Sequence, residues 1–428
     1  MGSAPRIYNL FPLLAGSVDR WREHLPRIAA MGFDWVFINP FHYPGFSGSL
    51  YAVKDYYRLH PLFRGASQKP DAEILGHFLN EAHDQGLCVM MDLVVNHTAK
   101  DALLVEAHPE WYAREADGSL LSPFAADPDE PDNVEKRTVW GDLAEIDYAN
   151  ADHHPGLADY WGGLVSHYAS LGFDGFRCDA AYKVPGDVWA PIIAGARRDR
   201  PEAMFFAETL GCQPEEVTQL ACAGFDYLFN SSKWWDFRAP WLLEQYEAFR
   251  AIAPSIAFPE SHDTVRLAEE SNGDERVSRL RYLFAAAFSS GLMMPLGYEY
   301  GFRRQPNVVQ SRPEDWEAGS FNISEFVTRV NAMKATMPVL NEEGPQRRVT
   351  PWDDPVVALL REGERHPGRV LTLINPDAVQ GHRFGAADAA ALLGCQPDSL
   401  RELLPGPGLG EWIDLPPLTI RLFTGGRG

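Results

Sequence analysis

Residues 88–97 read Cys88-Val89-Met90-Met91-Asp92-Leu93-Val94-Val95-Asn96-His97. An apolar run interrupted only by Asp92 and ending in two polar side chains suits a parallel strand. Such a strand is covered on both faces, and its carboxyl end opens into a site. Comparable runs recur at 6–12, 35–40, 173–180, 204–209, 227–230, 255–259 and 293–297, which makes eight strands. Helical patterns lie between them at 18–30, 71–85, 155–171, 188–197, 215–223, 240–252 and 275–288. Another follows the last strand at 323–337, where Ile323, Phe326, Val327 and Val330 recur at helical spacing. Eight strand–helix units in order predict an α/β fold, a (β/α)8 TIM barrel, over 1–96 and 153–345.

The stretch 97–152 is rich in Pro, Asp and Glu and is too long for a plain loop, so an inserted subdomain is expected there. Past residue 346 the texture changes to short β runs at 356–360, 369–374 and 418–423, separated by Pro and Gly. A small antiparallel, β-sandwich-like domain is expected over 346–428.

In a TIM barrel the chemistry gathers at the carboxyl ends of the strands. Those ends carry Asp92 to His97, Arg177 and Asp179, Glu208, and Glu260 to Asp263. Three carboxylates, Asp179, Glu208 and Asp263, therefore converge on one mouth. Arg177 stands two residues before Asp179 and points to the same side of the strand, which keeps Asp179 ionised as a nucleophile requires. A neighbouring carboxyl has its pKa raised and can donate a proton, and Glu208 is the candidate. Paired carboxyls about 5–5.5 Å apart are the geometry of retaining glycosidic cleavage. Trp234 and Trp235 follow the sixth strand at the rim, and Trp111 and Tyr112 lie in the insert. At least one of these is expected to be a sugar platform, with core packing the alternative. Lys183 and Arg304 are the cations that phosphate chemistry would call on.

The balance of 38 Lys+Arg against 59 Asp+Glu leaves a charge of −21. That excludes a general nucleic-acid binder and a polybasic membrane anchor. Twelve Trp, 15 Tyr and 24 Phe furnish a core with rings to spare for sugar faces. Five cysteines, odd in number and without zinc spacing, fit a reducing cytoplasm. No apolar run reaches the roughly 18 residues of a membrane span, and none forms a leader. Cys178 reads as a small apolar strand residue.

DLVVNH (92–97), GFRCD (175–179), AETLG (207–211) and SHD (261–263) occur here in the order of the α-amylase family of glycosidases and transglycosidases, which the chain resembles over about 6–340. The resemblance implies that Asp179 forms the glycosyl–enzyme intermediate and Glu208 is the general acid and then base. It implies that Asp263 is the third carboxylate, gripping sugar hydroxyls, and that Arg177 orients Asp179. It also implies that His97 and His262 hydrogen-bond the sugar being cleaved, that Tyr51 stacks under it, and that Asp92 braces the rim. Tyr182 and Lys183 stand where amylases carry Lys-His, on the acceptor side, and Ser261 stands for the usual Asn. Asp142 and Asp147 loosely resemble a motif of the inserted domain.

Other stretches, at 107–120, 176–189, 207–237 and 315–324, resemble the maltosyltransferases that use maltose 1-phosphate to extend α-1,4-glucan. With the first strand beginning by residue 6, that branch's extra N-terminal domain is not expected here. No cofactor is required. Asn96 matches a calcium ligand of many relatives, but with only Asn96 and Asp142 as named donors a tight site is not expected. The expectation is thus a retaining enzyme on α-glucan or malto-oligosaccharide, with hydrolysis favoured and glucosyl or maltosyl transfer the alternative. A non-catalytic glycan binder on the same fold is the competing class, opposed by the retained carboxylates. A metal-dependent isomerase or an aldolase would need a His-rich set or a strand Lys, which the sequence lacks. Oligomeric state is left open.

Overall fold

The computed structural model describes residues 4–125, 133–153, 156–406 and 408–426, excepting the side chains of 134 and 151–153. Eight parallel strands form the centre: β1 (Arg6–Leu10), β2 (Trp35–Ile38), β3 (Cys88–Leu93), β4 (Gly175–Cys178), β5 (Met204–Glu208), β6 (Tyr227–Phe229), β7 (Ser255–Ala257) and β8 (Gly291–Pro295). They pair in chain order, and β1 pairs with both β2 and β8, so the barrel closes. The strands are shorter than their apolar runs. Val94, Val95, Phe258 and Leu296 stay buried beyond the ladder, so hydrophobic burial outlasts strand pairing at the mouth.

Alternation along the strands sorts the core into two layers. Ile7, Phe37, Met90, Phe206, Phe229, Ile256 and Met293 form one cluster within the barrel. Their neighbours Tyr8, Val36, Ile38, Val89, Met91 and Phe205 join the cluster that includes the helices. Glycine fills positions where the inner rings leave no room. A Cβ on Gly175 would lie 2.9 Å from the Trp35 ring, and one on Gly291 would lie 2.6 Å from Ile256.

The surrounding helices are α1 (Val18–Ala30), α2 (Asp71–Asp84), α3 (Leu157–Leu171), α4 (Gly186–Asp199), α5 (Pro214–Thr218), α6 (Trp241–Phe249), α7 (Glu275–Phe288) and α8 (Ser324–Thr336). The helix expected from 155 is described from Leu157, and Pro155 lies outside the described residues. The helix expected over 215–223 divides into α5 and a 3-10 turn at Gln219–Cys222. Asp274 caps α7 by accepting from the backbone N–H of Arg276.

Between β3 and α3 the chain makes two short antiparallel ribbons. His97–Ala99 pairs with Leu143–Glu145, and Phe124–Ala125 pairs with Thr138–Val139. After α8 comes a five-stranded antiparallel sheet in the spatial order Gln346–Arg348, Val357–Glu362, Arg369–Asn375, Thr419–Gly425, Leu400–Glu402. A two-stranded ribbon of His382–Gly385 with Trp412–Leu415 and a helix at Ala386–Leu393 accompany it. Val357, Leu359 and Ile374 of the sheet share a core with Trp235, Phe284 and Phe288. Buried Arg361 donates to the carbonyls of Val339, Ala287, Phe288 and Glu342, tying the sheet to α7. Among the described residues no helix is long and apolar enough to cross a membrane.

Candidate active site

The inner-face register continues upward past the apolar layer. On β3, Met90 gives way to Asp92; on β4, Gly175 to Arg177 and then Asp179; on β5, Phe206 to Glu208. Period-2 alternation therefore delivers one cation and three carboxyls to the same end of the barrel. Arg177 is buried and its Nη1 joins two of them, at 2.9 Å from Asp92 Oδ1 and 2.7 Å from Asp179 Oδ1. A buried guanidinium needs such partners, and the carboxylates of Asp92 and Asp179, both meeting Nη1, supply them.

Asp92 is fully buried. Burial lifts its carboxyl to about 6, against the pull of Arg177. Tyr51 Oη donates to Asp92 Oδ2 at 2.7 Å and lies 2.7 Å from His262 Nε2. The Tyr51 and His262 rings are parallel within 2°. Asp92 thus holds Arg177 and Tyr51 in place below the mouth, as a brace.

Glu208 sits opposite. The residue after Asp179, Ala180, takes the left-handed conformation at φ 42°, costly for a side chain with a Cβ. That turn aims the Ala180 N–H at Glu208 Oε2, 3.1 Å away, while the Leu210 N–H reaches Oε1 at 2.7 Å. Burial pushes the Glu208 carboxyl up to about 7, with the Asp179 charge adding to the rise and Arg177 opposing it. At neutral pH this group is divided between acid and base. Desolvation at the mouth works to raise Asp263, whose side chain is still half exposed, but His262, whose Nε2 is 3.0 Å from Asp263 Oδ2, outweighs it and holds that carboxyl below its ordinary value.

These groups line a cavity of about 450 Å³, within the range of small-molecule sites. Its wall includes Tyr51, His97, Arg177, Asp179, Lys183, Glu208 and Asp263. His262 lines a smaller hollow beneath, shared with Arg177, Glu208 and Asp263. Buried His97 Nε2 and His262 Nδ1 have no hydrogen-bond partner within the protein. Buried ring nitrogens without partners are costly.

Residues 6–122 match the model of the glucanotransferase domain of glycogen debranching enzyme. The α-1,4-glucan:maltose-1-phosphate maltosyltransferase of Burkholderia pseudomallei is 30% identical over 405 residues, covering 91% of this chain and 34% of that protein. The enzyme of the same name from Myxococcus xanthus is 26% identical over 411 residues, 87% of this chain and 58% of that one. The chain thus spans between about a third and three fifths of the length of these two relatives. In fold it is similar to the α-amylase from H. orenii, with a TM-score of 0.76 at 15% identity over 99% of this chain and 100% of that one. The α-amylase from Lactobacillus plantarum gives 0.75 at 19% identity over 98% of each chain. The chain has the fold of the α-amylases and resembles the maltosyltransferases in sequence.

Several expected residues stand elsewhere. Trp235 is fully buried against Phe237, Phe284 and Phe288, so it is core and not a sugar platform. Trp111 and Tyr112 are likewise buried. The Trp111 ring stacks on His108 and the Tyr112 hydroxyl pairs with Thr98. Trp234 is half exposed and covers Gly211, beside cavity-lining Leu210 but outside the lining itself. Arg304 is exposed, paired with Asp315 at 2.6 Å, and does not line the cavity. Lys183 does line it, yet its ammonium donates to the Phe124 carbonyl at 2.6 Å. Asp147 holds a turn by accepting from the backbone of Asn150. Cys178 is buried, and burial pushes its thiol up.

Asn96 and Asp142 both line the cavity, but Asn96 Nδ2 lies against His97 Nδ1. Among the described residues no group of three or more His, Cys, Asp and Glu side chains could hold a metal. Sequence reasoning missed Trp140, Ser49 and Val308 on the cavity wall. All three lie in long mouth loops without periodicity. The one available signal was Trp140 standing two residues before Asp142 in the insert.

Proposed function

We propose that this chain is a retaining enzyme that acts on α-glucan or malto-oligosaccharide by double displacement and passes the glycosyl group to a sugar hydroxyl. The observation that carries the reading is the pair Asp179 and Glu208: one carboxylate ion-paired to Arg177, the other a half-buried carboxyl whose desolvation lifts it to about 7. In the first step Asp179 attacks the anomeric carbon and the glycosidic C–O bond breaks. Glu208 gives its proton to the departing oxygen. In the second step Glu208 takes the proton of the acceptor hydroxyl, whose oxygen displaces Asp179. Asp263 and His97 face the ring hydroxyls, where hydrogen bonds that tighten in the transition state lower the barrier.

The relatives at 30% and 26% identity are named α-1,4-glucan:maltose-1-phosphate maltosyltransferases, which supports transfer to a glucan acceptor but names a sugar phosphate as their donor. One observation supports a neutral sugar as the donor leaving group here. The cavity wall holds Asp142, Asp179, Glu208 and Asp263 against Arg177 and Lys183, and both cations are engaged within the protein. A phosphate group would meet net negative charge there, whereas a neutral sugar would not. Hydrolysis is the second reading, favoured by the amylase-like His262-Asp263 pair.

Maltohexaose incubated with the pure protein separates the two. Transfer gives oligomers longer than the substrate alongside shorter ones. Products that are all shorter and carry oxygen from labelled water establish hydrolysis. A reaction that requires maltose 1-phosphate as donor overturns the neutral-donor assignment.

A further inference from the structure

Lys183 enters from the catalytic loop, four residues after Asp179, at the end of a 3-10 turn that follows the strained Ala180. Its side chain leaves the barrel for the insert. Nζ donates to the Phe124 carbonyl at 2.6 Å, lies 5.7 Å from the centre of the Phe124 ring, and 5.4 Å from that of Trp140. Arg137 also stands over Phe124, at 4.3 Å. A cation shared between two rings and a carbonyl, away from bulk water, is held more firmly than one on the surface.

Trp140 is the ring this arrangement fixes. Its backbone N–H donates to the carbonyl of Pro123, and its own carbonyl accepts from Leu143, so both ends of the residue are anchored. Its indole is 38% exposed and lines the same cavity as Asp179 and Glu208. An exposed ring beside a sugar site, backed by an ammonium and carried on a ribbon outside the barrel, is placed to meet sugar units that Asp179 never touches.

We propose that Lys183 is a positioning residue whose ammonium sets the Trp140 ring on the cavity wall, and that Trp140 is thereby the platform that makes the enzyme prefer longer glucans. The inference rests on the proposed activity toward malto-oligosaccharide. Lys183 acts here through Trp140 and Phe124, not by touching the reacting atoms.

The test compares maltotriose with maltohexaose as substrates for the wild type, W140A, K183M, K183R and the W140A/K183M double variant. W140A is expected to lower kcat/KM for maltohexaose relative to maltotriose by about tenfold, the order of one lost ring contact. The loss should fall mainly on KM. K183M is expected to show the same length-dependent loss, to add at most about twofold to W140A, and to be largely rescued by K183R. Equal losses on both substrates in W140A overturn the platform. Losses that multiply in the double variant overturn the positioning role, because Lys183 would then act independently of Trp140. Trp140 is surface-exposed, so W140A decides the first point even if K183M fails to fold. Absence of turnover by the wild type on either substrate overturns the proposed function instead.

Discussion

Glu208 is the residue in which burial and chemistry meet most directly. To donate a proton it must be protonated, and burial with the Asp179 charge holds its carboxyl near 7. The limb of kcat/KM that reports the acid is therefore expected to fall as pH rises through about 7, and E208Q to lose that limb along with on the order of 10²–10⁴ in turnover. The same shift has a thermodynamic sign. A folded value raised above the unfolded one makes the native state hold its proton more tightly. The associated stability is full below about 4.5 and is lost as pH rises through about 7. Gln has no charge to bury, so the difference in melting temperature, E208Q minus wild type, should grow from pH 5 to pH 8. A difference that stays constant across that range would refute the burial account. The gathering of Asp179, Glu208 and Asp263 at one mouth was legible in the sequence because Glu208 ends β5, Asp179 directly follows β4 and Asp263 stands in the turn that follows β7. The left-handed Ala180 was not, because nothing in an alanine announces positive φ.

At the scale of elements, the loop after β6 separates two adjacent tryptophans into opposite environments. Trp235 enters the core shared with Phe284 and Phe288, while Trp234 stays half exposed over Gly211. W235A should cost roughly 3–5 kcal/mol by the cavity it leaves, read as a marked fall in the urea midpoint. W234A should stay within about 0.5 kcal/mol of the wild type. From sequence the two were indistinguishable, because a loop offers no periodicity to assign faces. The strands were readable for the opposite reason. Their alternation is imposed by two layers, one of Phe37, Met90 and Phe206 inside and one of Val36, Val89 and Phe205 outside. The register that buries Met90 then fixes where Asp92 must point. The short ribbons of the insert, at Phe124–Ala125 with Thr138–Val139, left no such trace. Two-residue strands are too brief to carry a pattern, and Trp140 went unread with them.

Across the whole molecule, the C-terminal sheet is joined to the barrel through a continuous core and through Arg361. Removing 346–428 would expose the apolar faces of Trp235, Phe284 and Phe288, and a chain ending there is expected to aggregate. For the intact protein, a calorimetric scan should show one transition, and two well-separated transitions would mean the shared core adds little coupling. R361A should cost several kcal/mol of stability and lower the temperature of that transition, since the carbonyls of Val339, Ala287, Phe288 and Glu342 would lose this donor. A chelator should leave the melting temperature unchanged, and a fall of several degrees would establish a bound cation. The outline of this domain was legible at Val357–Glu362 and Arg369–Asn375, where apolar runs are long. The helix at Ala386–Leu393, mostly alanine on a small ribbon, was not.

The seam of the barrel carries a consequence for biosynthesis. Ile7 on β1 pairs with Met293 on β8, so the first strand of the barrel finds one of its two partners only when the last barrel strand has emerged. At ~5–20 residues per second that is a delay of roughly 15–60 s. During it an apolar edge, Arg6–Leu10, stands open on one side. Newly made chains should therefore depend on a chaperone until translation passes β8, and chains arrested before that point should be the ones it retains.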